Sequence, residues 1–249
     1  MAKQSAKKKA GKSKKKKSSP RRPFRPVRFL GFLAVRAATV FVVAALALIL
    51  LFSIVNPPTT HTIWTEKRKL GKVDREWVPI EDIAPVMARS VVAAEDANFC
   101  LHWGFDVEAI RDAMEDGGSR GASTLSQQVV KNVFLWQGRS WIRKAIETLM
   151  TPAVEAVWSK KRIIEVYLNV AEMDEGVFGV EAAAQNYFGV GAESLSALQA
   201  ARIAAVLPSP KTRSASKPTA YLRKRTASIM DGAATIKVDG RSACFDAIE

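Results

Sequence analysis

The stretch EDANFCLHWGFD, residues 95–106, decides how the fold of this chain is interpreted. It follows residues 83–94, where apolar side chains recur with helical spacing. Glu95 and Asp96 stand directly at the end of that predicted helix, although a helix C-terminus disfavours negative charge. A solvated helix end with a salt bridge would explain an isolated Glu-Asp pair. The aromatic, Gly and His residues that follow, His102 among them, instead indicate a cleft in which a carboxyl group has a perturbed pKa.

Downstream, the stretch GASTLSQQVVKN, residues 121–132, opens a second predicted helix. Gln127 comes three residues after Thr124, which is the spacing of a capping box. On that helix Thr124, Gln128 and Lys131 share one face. A polar stripe of this kind often faces water. Beside a glycine-rich loop and a helix N-terminus, however, it forms a receptacle for a sugar phosphate.

Two further motifs follow. Arg143 and Glu147 form an i, i+4 pair that, taken alone, is an ordinary surface ion pair worth a few tenths of a kcal/mol. The stretch KKRIIEVYLN, residues 160–169, contains Tyr167 and Asn169, which we interpret as structural side chains. Neither motif identifies a function by itself.

The chain past residue 80 is predicted to be mainly α-helical. Helices are predicted at Glu81–Glu95, from Thr124, and at Trp141–Trp158, Lys161–Glu172, Glu181–Tyr187 and Leu195–Val206, with a loop at 116–121. No segment in this part alternates long enough to predict a sheet.

The formal net charge of +14 belongs to an N-terminal tail. Residues 1–28 carry thirteen Lys and Arg and no acid, whereas the chain from Pro57 onward carries 24 basic and 24 acidic residues. A tail this charged does not form a packed core. It either contacts anionic lipid headgroups or only fixes the orientation of a membrane segment. The charge therefore does not indicate nucleic-acid binding.

Residues 29–55 predict a transmembrane helix, because 37–55 are nineteen residues without a charge. At about 1.5 Å per residue they cover roughly the thickness of the hydrocarbon layer. A cleaved signal peptide has the same order of charge and apolar residues, but no small-x-small cleavage site follows here. The basic excess places residues 1–28 in the cytoplasm. A linker at 56–80 and an exported domain at 81–249 follow.

Two cysteines, Cys100 and Cys244, lie on the predicted exported side. An oxidising compartment permits a disulfide between them. The sequence leaves this pairing open, because it does not show whether the two Cα atoms approach each other. The two Cys and the two His, His61 and His102, are too scattered to predict a metal site.

In order along the chain, the motifs resemble those of the peptidoglycan glycosyltransferases. They are Glu-Asp-x-x-Phe-x-x-His-x-Gly-x-Asp from Glu95, Gly-x-Ser-Thr-x-x-Gln-Gln-x-x-Lys-Asn from Gly121, Arg-Lys-x-x-Glu from Arg143 and Ile-x-Glu-x-Tyr-Leu-Asn from Ile163. The motif region covers 81–210. Neither Ser-Asp-Asn nor Lys-Thr-Gly follows Pro208, so the chain is most similar to the monofunctional biosynthetic peptidoglycan transglycosylases rather than to the bifunctional penicillin-binding proteins.

This resemblance implies a mainly α, lysozyme-like glycosyltransferase domain behind one N-terminal transmembrane helix. Its substrate would be lipid II, a disaccharide-peptide on a polyprenyl diphosphate. Glu95 would act as the general base on the acceptor 4-hydroxyl, a role that contributes about 10²- to 10⁴-fold. Transfer would invert the anomeric carbon, form a β-1,4 bond and release polyprenyl diphosphate.

The resemblance also assigns the other site residues. Glu147 would be the second catalytic carboxylate, which binds a divalent cation, Mg²⁺ or Mn²⁺, or orients neighbouring cations. Lys131, Arg139 and Arg143 fall on donor-phosphate positions, where positive charge stabilises the leaving group. The complete substrate-binding set is Asp96, Phe99, His102, Ser123, Thr124, Gln128, Lys131, Asn132, Arg139 and Arg143. One departure is Gln199, near which the family commonly has an acid.

The implied location is the bacterial inner membrane, with the catalytic domain in the periplasm. The implied partners are lipid II, the growing glycan strand, membrane lipids and other cell-wall or division proteins, with no nucleic acid. Two other functions stay open at this stage. A lysozyme-like lytic enzyme would also use one Glu but has less need of the cationic motifs. A non-enzymatic membrane adaptor would act through residues 1–28.

Overall fold

The computed structural model describes residues 26–115, 117 and 123–246. Within these residues the chain is mainly α-helical, as predicted. The helices are α1 (Pro26–Phe52), α2 (His61–Leu70), α3 (Pro85–Glu95), α4 (Val107–Glu115), α5 (Leu125–Phe134), α6 (Trp141–Val157), α7 (Lys160–Val170), α8 (Val180–Phe188), α9 (Ala197–Val206) and α10 (Ala220–Val238). Apart from Gly117, the loop predicted at 116–121 lies outside the described residues, as do the first 25 residues of the basic tail.

The fold divides at residue 44 into two units. In the first unit α1 presents large apolar side chains on its surface, and Phe32 and Val40 are 59% and 63% exposed. The segment Arg28–Phe52 is long and apolar enough to cross a membrane, with a mean hydropathy of 2.5 over its most apolar window. Exposed apolar side chains of this kind are what a lipid-facing helix requires. The helix begins and ends three residues before the predicted 29–55.

The second unit begins with the last turns of α1. Ile49 is 1% exposed, and its carbonyl accepts a hydrogen bond from the indole N–H of Trp158 at 2.7 Å. The guanidinium of Arg162 donates to the carbonyls of Phe52 and Val55, both at 3.0 Å. The last carbonyl of a helix lacks a partner within the helix, so Arg162 supplies one for Phe52. Trp158 adds a second donor to the carbonyl of Ile49, which also accepts the N–H of Ser53. The end of α1 is therefore part of the folded domain.

Residues 56–80, predicted as a linker, contain α2 and one strand of a small sheet. The strands are β1 (Asp74–Arg75), β2 (Glu172–Asp174) and β3 (Val177–Phe178), in the order β1-β3-β2. β1 pairs parallel with β3, and β2 pairs antiparallel with it. The sequence past residue 80 did not predict this sheet, because strands of two or three residues are too short to alternate detectably. For the same reason Glu172 starts a strand instead of ending a predicted helix.

The core of the second unit is built on α3, α9 and α10, which pack on one another. Ala200, Ala201 and Ala204 of α9 are fully buried, so their small side chains let the neighbouring helices approach closely. A second group is formed by α5 with α6 and α7. The sequence did not predict α10, whose large buried side chains recur only at every seventh position. These are Leu222, Ile229 and Ile236.

Candidate active site

Glu95 is the last residue of α3 and lies in a mostly buried position, with 14% of its side chain exposed. Its Oε2 accepts a hydrogen bond from Nε2 of Gln128 on α5 at 3.1 Å. Its Oε1 is buried and has no hydrogen-bond partner among the described residues. Leaving a buried carboxylate oxygen unpaired costs free energy. Glu95 therefore has one anchored oxygen and one oxygen available to accept a proton.

The orientation of Gln128 is fixed from its other side. The hydroxyl of Tyr167 on α7 donates to Oε1 of Gln128 at 3.3 Å, which leaves the amide Nε2 to face Glu95. Burial raises the pKa of Tyr167 well above its usual value, so its hydroxyl keeps the proton that it donates. Tyr167 was interpreted as structural. The structure places it one side chain from the candidate base.

Two cations face Glu95 from different helices. The Nη2 of Arg225 on α10 lies 3.8 Å from Oε1, and Lys131 on α5 also acts on the carboxylate electrostatically. Burial raises the pKa of Glu95, while the hydrogen bond from Gln128 and the charges of Arg225 and Lys131 oppose that rise, and the nearby charge of Asp96 adds to it. Arg225 lies beyond the motif region of 81–210 and was not among the predicted site residues.

Asp96 fastens the loop after α3 to the start of α5. Its Oδ2 accepts the backbone N–H of Leu125 at 2.9 Å, and its Oδ1 lies 2.8 Å from Nε2 of His102. Nδ1 of His102 accepts the N–H of Gly104 at 3.2 Å, so Nε2 carries the hydrogen that is donated to Asp96. Both residues were predicted to bind substrate, but their polar atoms already have protein partners. Their observed contacts position the loop.

Thr124 and Gly104 join the same loop to α5. Thr124 forms the predicted capping box with Gln127, and its hydroxyl donates to the carbonyl of Gly104 at 2.7 Å. Gly104 has a φ of +88°, and a Cβ added there would lie 2.7 Å from Cγ2 of Thr151, so only glycine fits. Thr124 is 3% exposed. Its hydroxyl therefore serves the loop rather than a ligand.

Phe99 does not line the cleft, contrary to the prediction. Its ring is fully buried, with centroids 6.2 Å from His102 and 6.4 Å from Phe245. The ammonium of Lys160 lies 4.3 Å from the centre of the Phe99 ring. The Phe99 ring is therefore part of the hydrophobic core beneath the loop, where it packs against other side chains.

A cationic cluster surrounds Glu147 on α6, which is 2% exposed. Arg143 donates to Oε2 of Glu147 at 2.6 Å, and the ammonium of Lys144 contacts Oε1. Lys144 also donates to the hydroxyl of Ser123 at 3.3 Å. Burial lowers the pKa of Lys131, and the nearby charges of Arg143 and Lys144 lower it further. The carboxylates of Glu147 and Glu95 act in the opposite direction and raise this pKa. Lys144 was not among the predicted site residues.

The surroundings of Glu147 do not fit a divalent cation. Both of its carboxylate oxygens face the positive charges of Arg143 and Lys144, which would repel Mg²⁺ or Mn²⁺. Across the described part of the chain, no group of three His, Cys, Asp or Glu residues is placed to hold a metal ion. The geometry instead matches the other role implied for Glu147, which is to orient neighbouring cations.

Two cavities lie close to Glu95 and its partner Gln128. The larger, of about 520 Å³, is lined by Gln128, Lys131 and Asn132 together with residues of α2 and the segment after α9. The smaller, of about 250 Å³, is lined by Glu95, Asp96, Ser123 and Thr124 among others. Arg139 lies apart, on the wall of an open cavity that also contains Arg143 and Lys144. The structure thus brings all predicted residues except Phe99 to the walls or supports of these cavities.

Comparison with known proteins identifies the class to which this fold and site belong. The transglycosylase family model matches residues 62–234. A protein of Jannaschia sp. (strain CCS1), named biosynthetic peptidoglycan transglycosylase, is 58% identical over 200 residues, which cover 80% of this chain and 84% of that protein. Proteins of the same name from Pseudomonas fluorescens (strain SBW25) and Caulobacter vibrioides are 48% and 44% identical. They cover 80% and 82% of this chain and 88% and 91% of their own lengths.

The chain belongs to the transglycosylase family. Its mainly α domain is of the lysozyme-like class that the resemblance implied. The family match runs past the predicted motif region and includes most of α10, the helix that carries Arg225.

Proposed function

We propose that this protein is a peptidoglycan glycosyltransferase that polymerises glycan strands from lipid II. The relatives' names support biosynthesis of peptidoglycan over its degradation. The observation that carries the proposal is the pairing of one buried carboxylate with a separate cationic cluster. A lytic enzyme has no diphosphate leaving group and therefore no need for that cluster.

Glu95 is the general base in this reaction. Its Oε1 accepts the proton of the acceptor 4-hydroxyl, and the oxygen of that hydroxyl attacks the anomeric carbon of the donor chain. Burial raises the pKa of Glu95, which makes the carboxylate a stronger base than an exposed glutamate. The hydrogen bond from Gln128 holds the second oxygen still during the transfer. The smaller cavity is lined by Glu95 and has room for the acceptor sugar, and Lys131 of the cationic cluster lines the larger cavity.

The cationic cluster stabilises the diphosphate that leaves. Negative charge develops on the phosphate oxygens as the bond to the anomeric carbon breaks, and preorganised cations lower the energy of that state. Lys131, Arg143 and Lys144 supply the charge nearest Glu147, and Arg139 adds charge at the exposed rim. Glu147 holds the cluster in place and prevents mutual repulsion. It therefore acts on the reaction by positioning the phosphate-binding side chains.

The exposed side of α6 supports contact with the lipid part of the substrate or with the bilayer. Trp141, Ile142 and Leu149 are 92%, 71% and 78% exposed, and Trp141 shares a cavity wall with Arg139. Large apolar side chains beside a phosphate-binding cluster suit a substrate with a polyprenyl tail. The proposed topology puts the basic tail in the cytoplasm and the domain on the outer face of the inner membrane. The disulfide described below is consistent with an oxidising compartment.

The test is polymerisation of fluorescent lipid II by the full-length protein in detergent, analysed on a gel that resolves glycan strands. The wild-type protein should produce strands and leave isolated cell wall uncut. Glu95→Gln should lose at least about a hundredfold in rate, as removal of a general base does. Cleavage of cell wall without polymerisation would instead favour the lytic alternative.

A further inference from the structure

The loop that follows the candidate base is tied to the far end of the chain. The structure joins Cys100 to Cys244 by a disulfide across a sequence separation of 144 residues. Cys100 lies between Phe99 and His102, in the loop that follows Glu95, the last residue of α3. Cys244 lies in the segment after α10. The bond thus links the loop that carries the site to the C-terminal segment.

Noncovalent contacts run along the same boundary. Phe245 is 4% exposed and packs against the ring of Phe99. Asp246 pairs with Arg89 of α3 at 3.0 Å, and Arg241 donates to the carbonyl of Ala97 at 3.4 Å. Each contact joins the C-terminal segment to α3 or to the loop. The segment therefore forms the outer wall against which the loop is packed.

Apart from the disulfide, the wall is held in the described part of the chain by the buried ring of Phe245, by one ion pair and by one hydrogen bond. The side chains of Arg89 and Asp246 are only 13% and 15% exposed, so their ion pair helps to hold the wall. The hydrogen bond of Arg241 to Ala97 is long and exposed and contributes little. The disulfide is the one covalent link between the described parts of the segment and the loop.

We propose that the Cys100–Cys244 disulfide positions the loop of Glu95 and His102 for glycosyl transfer, so that Cys100 and Cys244 are positioning residues of the reaction. This inference rests on the proposed role of Glu95 as the base. Without the bond, only noncovalent contacts keep the segment against Phe99, so the outer support of the loop is less rigid. The Asp96–His102 pair and the carboxylate of Glu95 then sample wider positions, and a misplacement of about 1 Å at a reacting group costs on the order of a hundredfold in rate.

The test compares oxidised and reduced full-length wild-type protein in detergent. Dithiothreitol breaks the S–S bond by giving two electrons and two protons to the sulfurs, which leaves two thiols and the cyclic disulfide of the reagent. Below the unfolding temperature of both forms, kcat for lipid II should fall about tenfold. KM should stay within about twofold, because the cationic cluster is untouched. Reoxidation should restore kcat.

Two variants separate positioning from stability alone. Cys244→Ser should show the reduced kcat without reductant and should not respond to dithiothreitol, which shows that the effect of the reagent passes through this bond. If that variant does not fold, reduced wild-type protein alkylated with iodoacetamide replaces it. A lower Tm with kcat unchanged on reduction, or a change in KM alone, overturns the proposal. Loss of polymerisation by oxidised wild-type protein, or full activity of Glu95→Gln, would instead contradict the proposed function.

Discussion

Replacing Arg225 tests whether a residue of α10, outside the sequence motifs, lowers the pKa of the candidate base Glu95. Arg225→Met removes a positive charge whose Nη2 lies 3.8 Å from Oε1 of Glu95. The charge favours the carboxylate form, so its removal raises the pKa of Glu95 further. A base works only when deprotonated. The acid side of the pH profile of kcat/KM should therefore move to higher pH, while the alkaline side stays unchanged.

The size of the effect follows from the distance between the two charges. Two unit charges about 4 Å apart interact by roughly 1 kcal/mol in water and roughly 4 kcal/mol at an effective dielectric constant of 20. Arg225 keeps 28% of its side chain exposed, so solvent screens the pair and the lower part of that range applies. About 1.4 kcal/mol is a factor of ten in an equilibrium constant. On the acid side of the profile, kcat/KM should therefore fall about five- to tenfold.

The assay measures the initial rate of lipid II polymerisation from about pH 5 to about pH 9, a range that extends roughly two units on either side of neutral pH. Arg223→Met is the matched control, since Arg223 lies on the same helix, is exposed and donates to the carbonyl of Pro218. The other charged neighbours, Lys131 and Asp96, are unchanged in both variants. An unshifted acid side in Arg225→Met, or an equal shift in Arg223→Met, would refute a direct effect of Arg225 on Glu95.

Two further substitutions test the supports of the site. Glu147→Gln leaves Arg143 and Lys144, whose side chains are 12% and 39% exposed, without their counter-charge, so it should lower the free energy of unfolding by about 2 kcal/mol, and Lys144→Met added to it should recover part of that loss in thermal denaturation. An unchanged Tm in Glu147→Gln would contradict this role. Arg162→Met removes the donors to the carbonyl of Phe52, which ends α1, and to that of Val55, and should cost about 1 kcal/mol, whereas Lys161→Met, which loses only an exposed pair, should cost less than half of that. Equal costs in the two variants would contradict capping by Arg162.

Local chemistry made part of the site predictable. The predicted capping box of Thr124 and Gln127 is confirmed. It could be predicted because the two residues lie three positions apart and the motif depends only on the helix that they start. The pair of Arg143 and Glu147 is likewise formed within one helix. Lys144 was missed because it lies at i, i+3 from Glu147, and nothing in its spacing distinguishes it from a solvated lysine on the same helix.

Contacts between distant elements could not be predicted in this way. Arg225 reaches Glu95 across 130 positions of the chain, on a helix whose apolar residues recur too sparsely to show in the sequence. The pairing of Cys100 with Cys244 was left open for the same reason, since only tertiary structure brings their Cα atoms to 5.7 Å. The three strands are two or three residues long and therefore too short for a periodic signal, and the pairing of β1 with β3 joins residues about a hundred positions apart.

Phe99 shows why a motif position alone does not define a role. Its fixed spacing from Glu95 and His102 suggested a ring in contact with the substrate, yet the ring is fully buried under the loop. The same spacing is needed when a loop positions one carboxylate and when it covers one buried aromatic ring. In this protein the two requirements meet in the same loop. Glu95 turns into the cleft because Asp96 and Phe99, the residues beside it, hold the backbone from α5 and from the C-terminal segment.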